Sequence, residues 1–150
     1  MDDAEALART IYGEARGELY PGKIAVGCVI ANRARLAASY VSRKGRPHPL
    51  YGNGSLASAC QVPWQFSCWN GFMDATKSAP DPNLPKLLAV SLTDPVMAIC
   101  VKAARAAALG PDITKNSTHY YAAGSEPPGW AAGKTPVISI GHHLFFNDIN

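Results

Sequence analysis

Residues 22–31, Gly22-Lys23-Ile24-Ala25-Val26-Gly27-Cys28-Val29-Ile30-Ala31, are apolar on nearly every side of a helix. A helix with no polar face has to be surrounded by protein, so this one belongs at the centre of the fold. Pro21 suits its first turn. Ile24, Cys28 and Ala31 repeat on one face, and Val26, Val29, Ile30 and Arg33 extend it. Ala25, Gly27, Cys28 and Ala31 are small, which lets a neighbouring helix approach closely. Asn32 and Arg33 are expected to close the helix, where a polar pair more often caps structure than does chemistry. Arg33 is also placed to pair with a carboxylate from the preceding helix. A chain of 150 residues, 47% hydrophobic and 17% charged, suits one domain around one core. No apolar run is expected to span a bilayer.

The segment before this helix reads as helical too. At ~100° per residue, Leu7, Ile11 and Glu14 fall within an arc of roughly 60°. Glu5, Arg9 and Arg16 cluster opposite and are expected on the solvent face. Gly17 is the expected stop, which puts Glu14 in the last turn. There the helix dipole and partial burial both disfavour a negative charge and favour a protonated carboxyl group. Such a group is what general acid catalysis needs. A solvated or Arg33-paired carboxylate fits the same pattern. Glu18 returns to this sector only if the helix runs through Gly17, so it reads as a loop carboxylate fixing the turn into the next helix.

Several function classes lack their signatures. The net charge of +3 is mild, and its local cluster, Arg43, Lys44 and Arg46, reads as a solvated loop or as an attraction to an anionic polymer. No zinc-finger spacing, P-loop or RNA-binding aromatic signature occurs, so no nucleic-acid partner is expected. The acidic start, Met1-Asp2-Asp3-Ala4-Glu5, has no secretory signal. Either a signal lies outside this chain or export uses another route; cytoplasmic synthesis, with later release or delivery, is the expectation. The histidines, His48, His119, His142 and His143, form no HExxH, and His142 and His143 would point to opposite sides of a strand; no metal and no cofactor are expected. Cys28 and Cys100 read as core residues. Cys60 and Cys68 flank a loop, as a local disulfide or as free thiols. A Cys68 or Cys60 nucleophile with His119 is not favoured, and Ser67 lacks a GxSxG context.

Glycine and proline break up residues 43–83 into an irregular region. Within it, Trp64 and Trp69 either pin loops to the core or line a groove where sugar faces stack; the groove is the favoured reading. Leu84–Leu92 is a possible short helix. Asp94-Pro95 opens a further helix with Val96, Ile99, Cys100, Ala103 and Ala107 as its buried stripe, ended by Gly110-Pro111. His119-Tyr120-Tyr121 and Val137-Ile138-Ser139-Ile140 read as strands, with Trp130 in the loop between. Helices first and a small strand-rich remainder make an α+β domain spanning residues 1–150.

What remains is acid–base chemistry on a glutamate. Glycosidases usually pair two carboxylates; Asp74 and Glu126 lie in loops and could approach the site, but nothing marks either. A lone acid suits a substrate-assisted reaction. Ala8-Arg9-Thr10-Ile11-Tyr12-Gly13-Glu14-Ala15-Arg16-Gly17-Glu18 and the helix ending in Asn32-Arg33 resemble the opening of the spore-cortex-lytic and cell-wall hydrolase family. The likeness continues through Gln65-Phe66-Ser67, Trp69, Ala103-Ala104-Arg105, Thr118-His119-Tyr120-Tyr121, Trp130 and Ile140-Gly141-His142-His143-Leu144-Phe145-Phe146. It implies a lysozyme-like or lytic-transglycosylase-like α+β fold. It also implies cleavage of the peptidoglycan bond between N-acetylmuramic acid and N-acetylglucosamine. Glu14 would be the acid and then the base, and Gln65, Trp69, Tyr120 and Tyr121 would line the glycan groove. A muramidase, an amidase and a non-catalytic wall-binding module are the alternatives. The elaborate stretch from Arg43 to Pro63 and the missing export signal point away from a spore role and toward a phage-type endolysin or lysin. No stable membrane insertion is expected.

Overall fold

The computed structural model describes residues 1–73 and 80–150, so Asp74 lies outside the described residues. Helix α1 (Asp3–Ala15) is capped by the Asp2 side chain, which accepts from the Glu5 backbone N–H. It packs on α2 (Tyr20–Lys44), α3 (Leu56–Gln61), α4 (Leu84–Ala89) and α5 (Pro95–Leu109). Ala6, Leu7, Ala8, Ile11, Val26, Val29, Ile30, Met97, Cys100 and Ala103 are fully closed to solvent. Burying each of the larger of these contributes roughly 1.5–3 kcal/mol. Gly27 lets α2 and α5 touch: a Cβ there would lie 2.6 Å from that of Ala107.

Helix α2 corrects the expected stop at Asn32-Arg33. It continues to Lys44 and ends at Gly45, whose φ of 70° is the left-handed conformation glycine adopts freely. Asn32 and Arg33 are buried mid-helix and bond outward to the C-terminal segment. The helix continues because residues beyond 34 are amphipathic, with Ala34 and Ala37 buried and Arg35 and Leu36 exposed. By length and composition it could cross a membrane, at a mean hydropathy of 1.2 over its most apolar window, which departs from the sequence expectation. In the fold that apolar surface lies against α1, α3 and α5.

Three further readings shift. Arg9 is buried, not solvated: its guanidinium donates to the Leu87 and Val90 carbonyls, both at 2.8 Å, and to Glu5 at 2.9 Å. The second half of the chain covers the side of α1 that looked solvent-facing, and Arg9 fastens α4 to it. The α5 stripe is rotated, with Met97, Cys100, Ala103, Ala104 and Ala107 buried while Val96 and Ile99 stay exposed. The irregular region contains α3 and a 3₁₀ turn at Ser67–Trp69.

Strands β1 (His119–Ala122), β2 (Ile138–Ile140) and β3 (His143–Phe146) form an antiparallel sheet in the order β1-β3-β2. The third strand was not foreseen. Phe145 joins the sheet to α2 by packing on Ala25 and Val29. The helices-first α+β architecture expected from the sequence is the one observed.

Candidate active site

Glu14 stands at the end of α1, and two cavities meet at it. One, of about 300 Å³, is bordered by Tyr12, Arg16, Cys68, Asp81 and Lys86. The other, of about 410 Å³, is bordered by Arg33, Trp64, Gln65, His119, Tyr120 and Trp130. Glu14 and Ser67 border both, so the two cavities adjoin at Glu14 and together make the candidate groove.

Removal from water dominates the electrostatics of Glu14 and pushes its pKa up. Hydrogen bonds from the Tyr120 hydroxyl and the Cys68 thiol, and the charge of Arg33, pull it down; the charge of Asp81 adds to the rise. The net direction is upward, which favours the proton-bearing form. Burial and the nearby Glu14 hold the Tyr120 hydroxyl well above its ordinary pKa, so it stays a donor.

Each donor reaches Glu14 for a local reason. Cys68 sits on the 3₁₀ turn beside Gly13, where a Cβ would lie 2.8 Å from the Cys68 Cβ and 2.9 Å from its Sγ. Only glycine leaves room for that thiol. The turn is pinned by Trp69, whose Nε1 donates to Thr10 Oγ1 at 2.7 Å. Trp69 is 2% exposed and belongs to the core, so it does not line the groove as expected. Trp64 and Trp130 border the groove in its place. Tyr120 is brought in by β1. Arg33 organises that side: Nε donates to the Thr118 carbonyl at 2.7 Å and a terminal nitrogen to Gln65 Oε1 at 3.2 Å, with its guanidinium 5.1 Å from both the Tyr51 and Phe66 ring centres. Burial lowers its pKa. Among the described residues Arg33 forms no ion pair with Glu14; it acts on it through space.

Of the other expected groove residues, Gln65 and Tyr120 border the second cavity. Tyr121 does not; it stacks on Phe146 at 5.6 Å and meets the edge of Trp130 at 5.9 Å. Glu126 is exposed in its loop and borders neither cavity.

Asp81 was missed. Its N–H donates to the Asn70 carbonyl at 3.0 Å, and its Oδ1 accepts from the Asn83 N–H at 2.7 Å. Pro80-Asp81-Pro82-Asn83 reads locally as a turn with a self-bonding aspartate, and nothing in the string signals a neighbour in α1.

The remaining candidates resolve into structure. Cys28, Cys60, Cys68 and Cys100 are free thiols. Burial pushes Cys60 up to about 12 and raises Cys68 strongly, with Glu14 adding to the latter, so neither supplies a thiolate. Burial holds His119 down at about 4, which keeps it neutral beside Trp130. Among the described residues no group of three His, Cys, Asp or Glu side chains is placed to hold a metal ion.

Glu18 is a loop carboxylate, but what it fixes is the β2–β3 turn. Its oxygens accept from the His142 N–H at 2.8 Å and meet the His142 Nδ1 at 2.6 Å; the His143 Nδ1 lies 3.5 Å away. Both histidines reach one carboxylate because His142 lies in the turn, not on a strand. Burial opposes ionisation of Glu18, but the His142 hydrogen bonds and the histidine charges prevail and lower its pKa.

A family model described as cell wall hydrolase matches residues 17–146. The matched span starts at Gly17 and so does not include Glu14. The fold is similar to the catalytic domain of the Bacillus cereus SleB protein, with 23% identity over 95% of this chain and 88% of that one and a TM-score of 0.63. It is also similar to the catalytic domain of the germination-specific lytic transglycosylase SleB from Bacillus anthracis, with 24% identity over 95% and 92% of the two chains and a TM-score of 0.65. No curated protein matches. With the family match running from the α1–α2 turn through the last strand, the chain belongs to the cell wall hydrolase family.

Proposed function

We propose that the protein cleaves peptidoglycan glycan strands at the β-1,4 bond between N-acetylmuramic acid and N-acetylglucosamine, as a lytic transglycosylase with Glu14 as acid and then base. The observation that carries this reading is a carboxyl group with a raised pKa that borders two adjoining cavities. The likeness in fold to a protein named as a lytic transglycosylase agrees with it. Glu14 gives its proton to the bridging oxygen as the glycosidic bond breaks. The carboxylate then takes the proton of the muramoyl 6-hydroxyl as that oxygen bonds to C1, closing an anhydro ring and restoring the acid. The Tyr120 and Cys68 donors stabilise Glu14 while it is ionised between these steps. Trp64, Trp130 and Gln65 offer ring faces and an amide to the sugars.

Asp81 favours a second reading. The expectation of transglycosylation rested on an isolated Glu14, and Asp81 shares its cavity. A carboxylate that orients water there would make the enzyme a muramidase. Mass spectrometry of digested wall decides. Anhydro-muramoyl ends support the transglycosylase, and reducing muramic acid ends support the muramidase. New free amino groups would indicate an amidase or peptidase. Pelleting with the wall but no soluble fragments would indicate a binding module.

A further inference from the structure

The two cavities that share Glu14 differ in what they offer a ligand. The second is aromatic, with Trp64, His119 and Trp130 on its walls, and the one cation bordering it among the described residues, Arg33, is buried and already committed to Thr118 and Gln65. The first has two exposed cations, Arg16 and Lys86. Neither forms an ion pair among the described residues. Arg16 is held in place: its guanidinium lies 5.1 Å from the Tyr12 ring centre and donates to the Tyr12 carbonyl at 3.2 Å. Lys86 rides on α4, which the buried Arg9 ties to α1 through the Leu87 and Val90 carbonyls. Asp81 offsets one of the two cations. With Glu14 in its acid form, the described residues leave the first cavity one formal positive charge, carried on exposed side chains.

We propose that Arg16 and Lys86 receive a carboxylate of the peptide stem carried by the muramoyl sugar, which places the muramoyl side of the scissile bond in the first cavity and the N-acetylglucosamine side against Trp64 and Trp130. The proposal rests on the glycan-cleaving reading above. In an alternating strand the N-acetylglucosamine units are uncharged, and the free carboxylates lie on the stems attached to the muramoyl units. A planar guanidinium and an ammonium suit such a carboxylate, while uncharged sugar faces suit aromatic rings. The exposed cations of the first cavity, against a buried and hydrogen-bonded one in the second, therefore set the direction in which the strand crosses Glu14.

Binding tests the receptor separately from catalysis. Labelled soluble glycan strands with their stems are compared with the same strands after carbodiimide coupling to ammonia, which turns stem carboxylates into neutral amides. The protein used carries Glu14→Gln so that strands persist, and fluorescence anisotropy gives Kd. Native strands are expected to bind roughly three- to tenfold more tightly than amidated ones, the range for two exposed charge pairs. Lys86→Gln should shrink that preference, and Lys86→Gln with Arg16→Gln should abolish it while leaving Kd for amidated strands unchanged. Equal affinity for the two strand types, or a preference that survives both substitutions, overturns the proposal. Fragment release by the unmutated enzyme is scored separately. Its absence would overturn the glycan-cleaving reading and leave the binding comparison to judge the receptor.

Discussion

Helix α1 and strand β1 both reach Glu14, but they are held in different ways. The inner face of α1 is closed to solvent and α1 packs on four other helices, with Gly27 letting the α2–α5 pair close behind it. Strand β1 is an edge strand, half-buried at His119, Tyr120 and Tyr121, fixed by pairing with β3 and by the bond from Arg33 to Thr118. The acid thus stands on the densely packed side; of the groups that tune it, Tyr120, Cys68 and Asp81 stand on a strand and turns, and Arg33 stands on α2. Stability should reside mainly in the helices and the hydrogen bonds that tune Glu14 in the sheet and turns, so substitutions in the two regions should have separable effects.

The largest effect tests the acid itself. Glu14→Gln should lower glycan cleavage by about 10²–10⁴-fold, the usual contribution of a positioned acid, with an unchanged melting temperature. Wall-turbidity assays and thermal melts read the two quantities, and full activity would remove Glu14 from the chemistry. On the packed side, Gly27→Leu should cost about 1–3 kcal/mol in denaturant unfolding, because its Cβ would lie 2.6 Å from that of Ala107.

On the tuning side, Tyr120→Phe removes a donor that lowers the Glu14 pKa. That pKa should rise, so the alkaline limb of the pH–rate profile should move to higher pH with little loss of stability. Asp81→Asn removes a charge that raises it, and should move the same limb a smaller distance to lower pH. Limbs moving in the same direction would show that the two groups do not act on Glu14 as described.

The smallest expected effect concerns the clamp between the α1–α2 turn and the sheet. His142 has a raised pKa from its hydrogen bond and charge contact with Glu18, so its contribution is present below the ordinary histidine range and is lost as pH rises through the raised value. Glu18 has a lowered pKa, so its contribution is present above the ordinary carboxylate range and is lost as pH falls through the lowered value. The clamp should act mainly between these limits, and Glu18→Gln should flatten the small rise in melting temperature found there.

The readings that succeeded were local ones. The burial of residues 25–31 followed from a pattern with no polar face, and the start of α5 followed from Asp94-Pro95, whose Asp94 carboxylate accepts from the Val96 and Met97 N–H groups. Glu14 was legible because the ends of helices and the edges of apolar arcs are properties of neighbouring residues. The readings that failed depended on which surface would be covered from elsewhere. Arg9 looked solvated until α4 closed over it, and Trp69 looked like a groove residue until Thr10 offered its hydroxyl. Asn32 and Arg33 looked like a helix end because their partners, Asp112, Thr114, Ser117, Thr118 and Gln65, lie far along the chain.

The sequence by itself determined a central small-residue helix, a helices-first α+β domain, an acidic group at the end of α1 and the family resemblance. All of these depend on periodicity, capping or ordered motifs, which short-range chain geometry controls. The tertiary structure alone decided which groups surround that acid. Tyr120, Cys68, Arg33 and Asp81 come from four separate segments, and desolvation and Coulomb interactions depend on distance in space, which the order of residues does not encode.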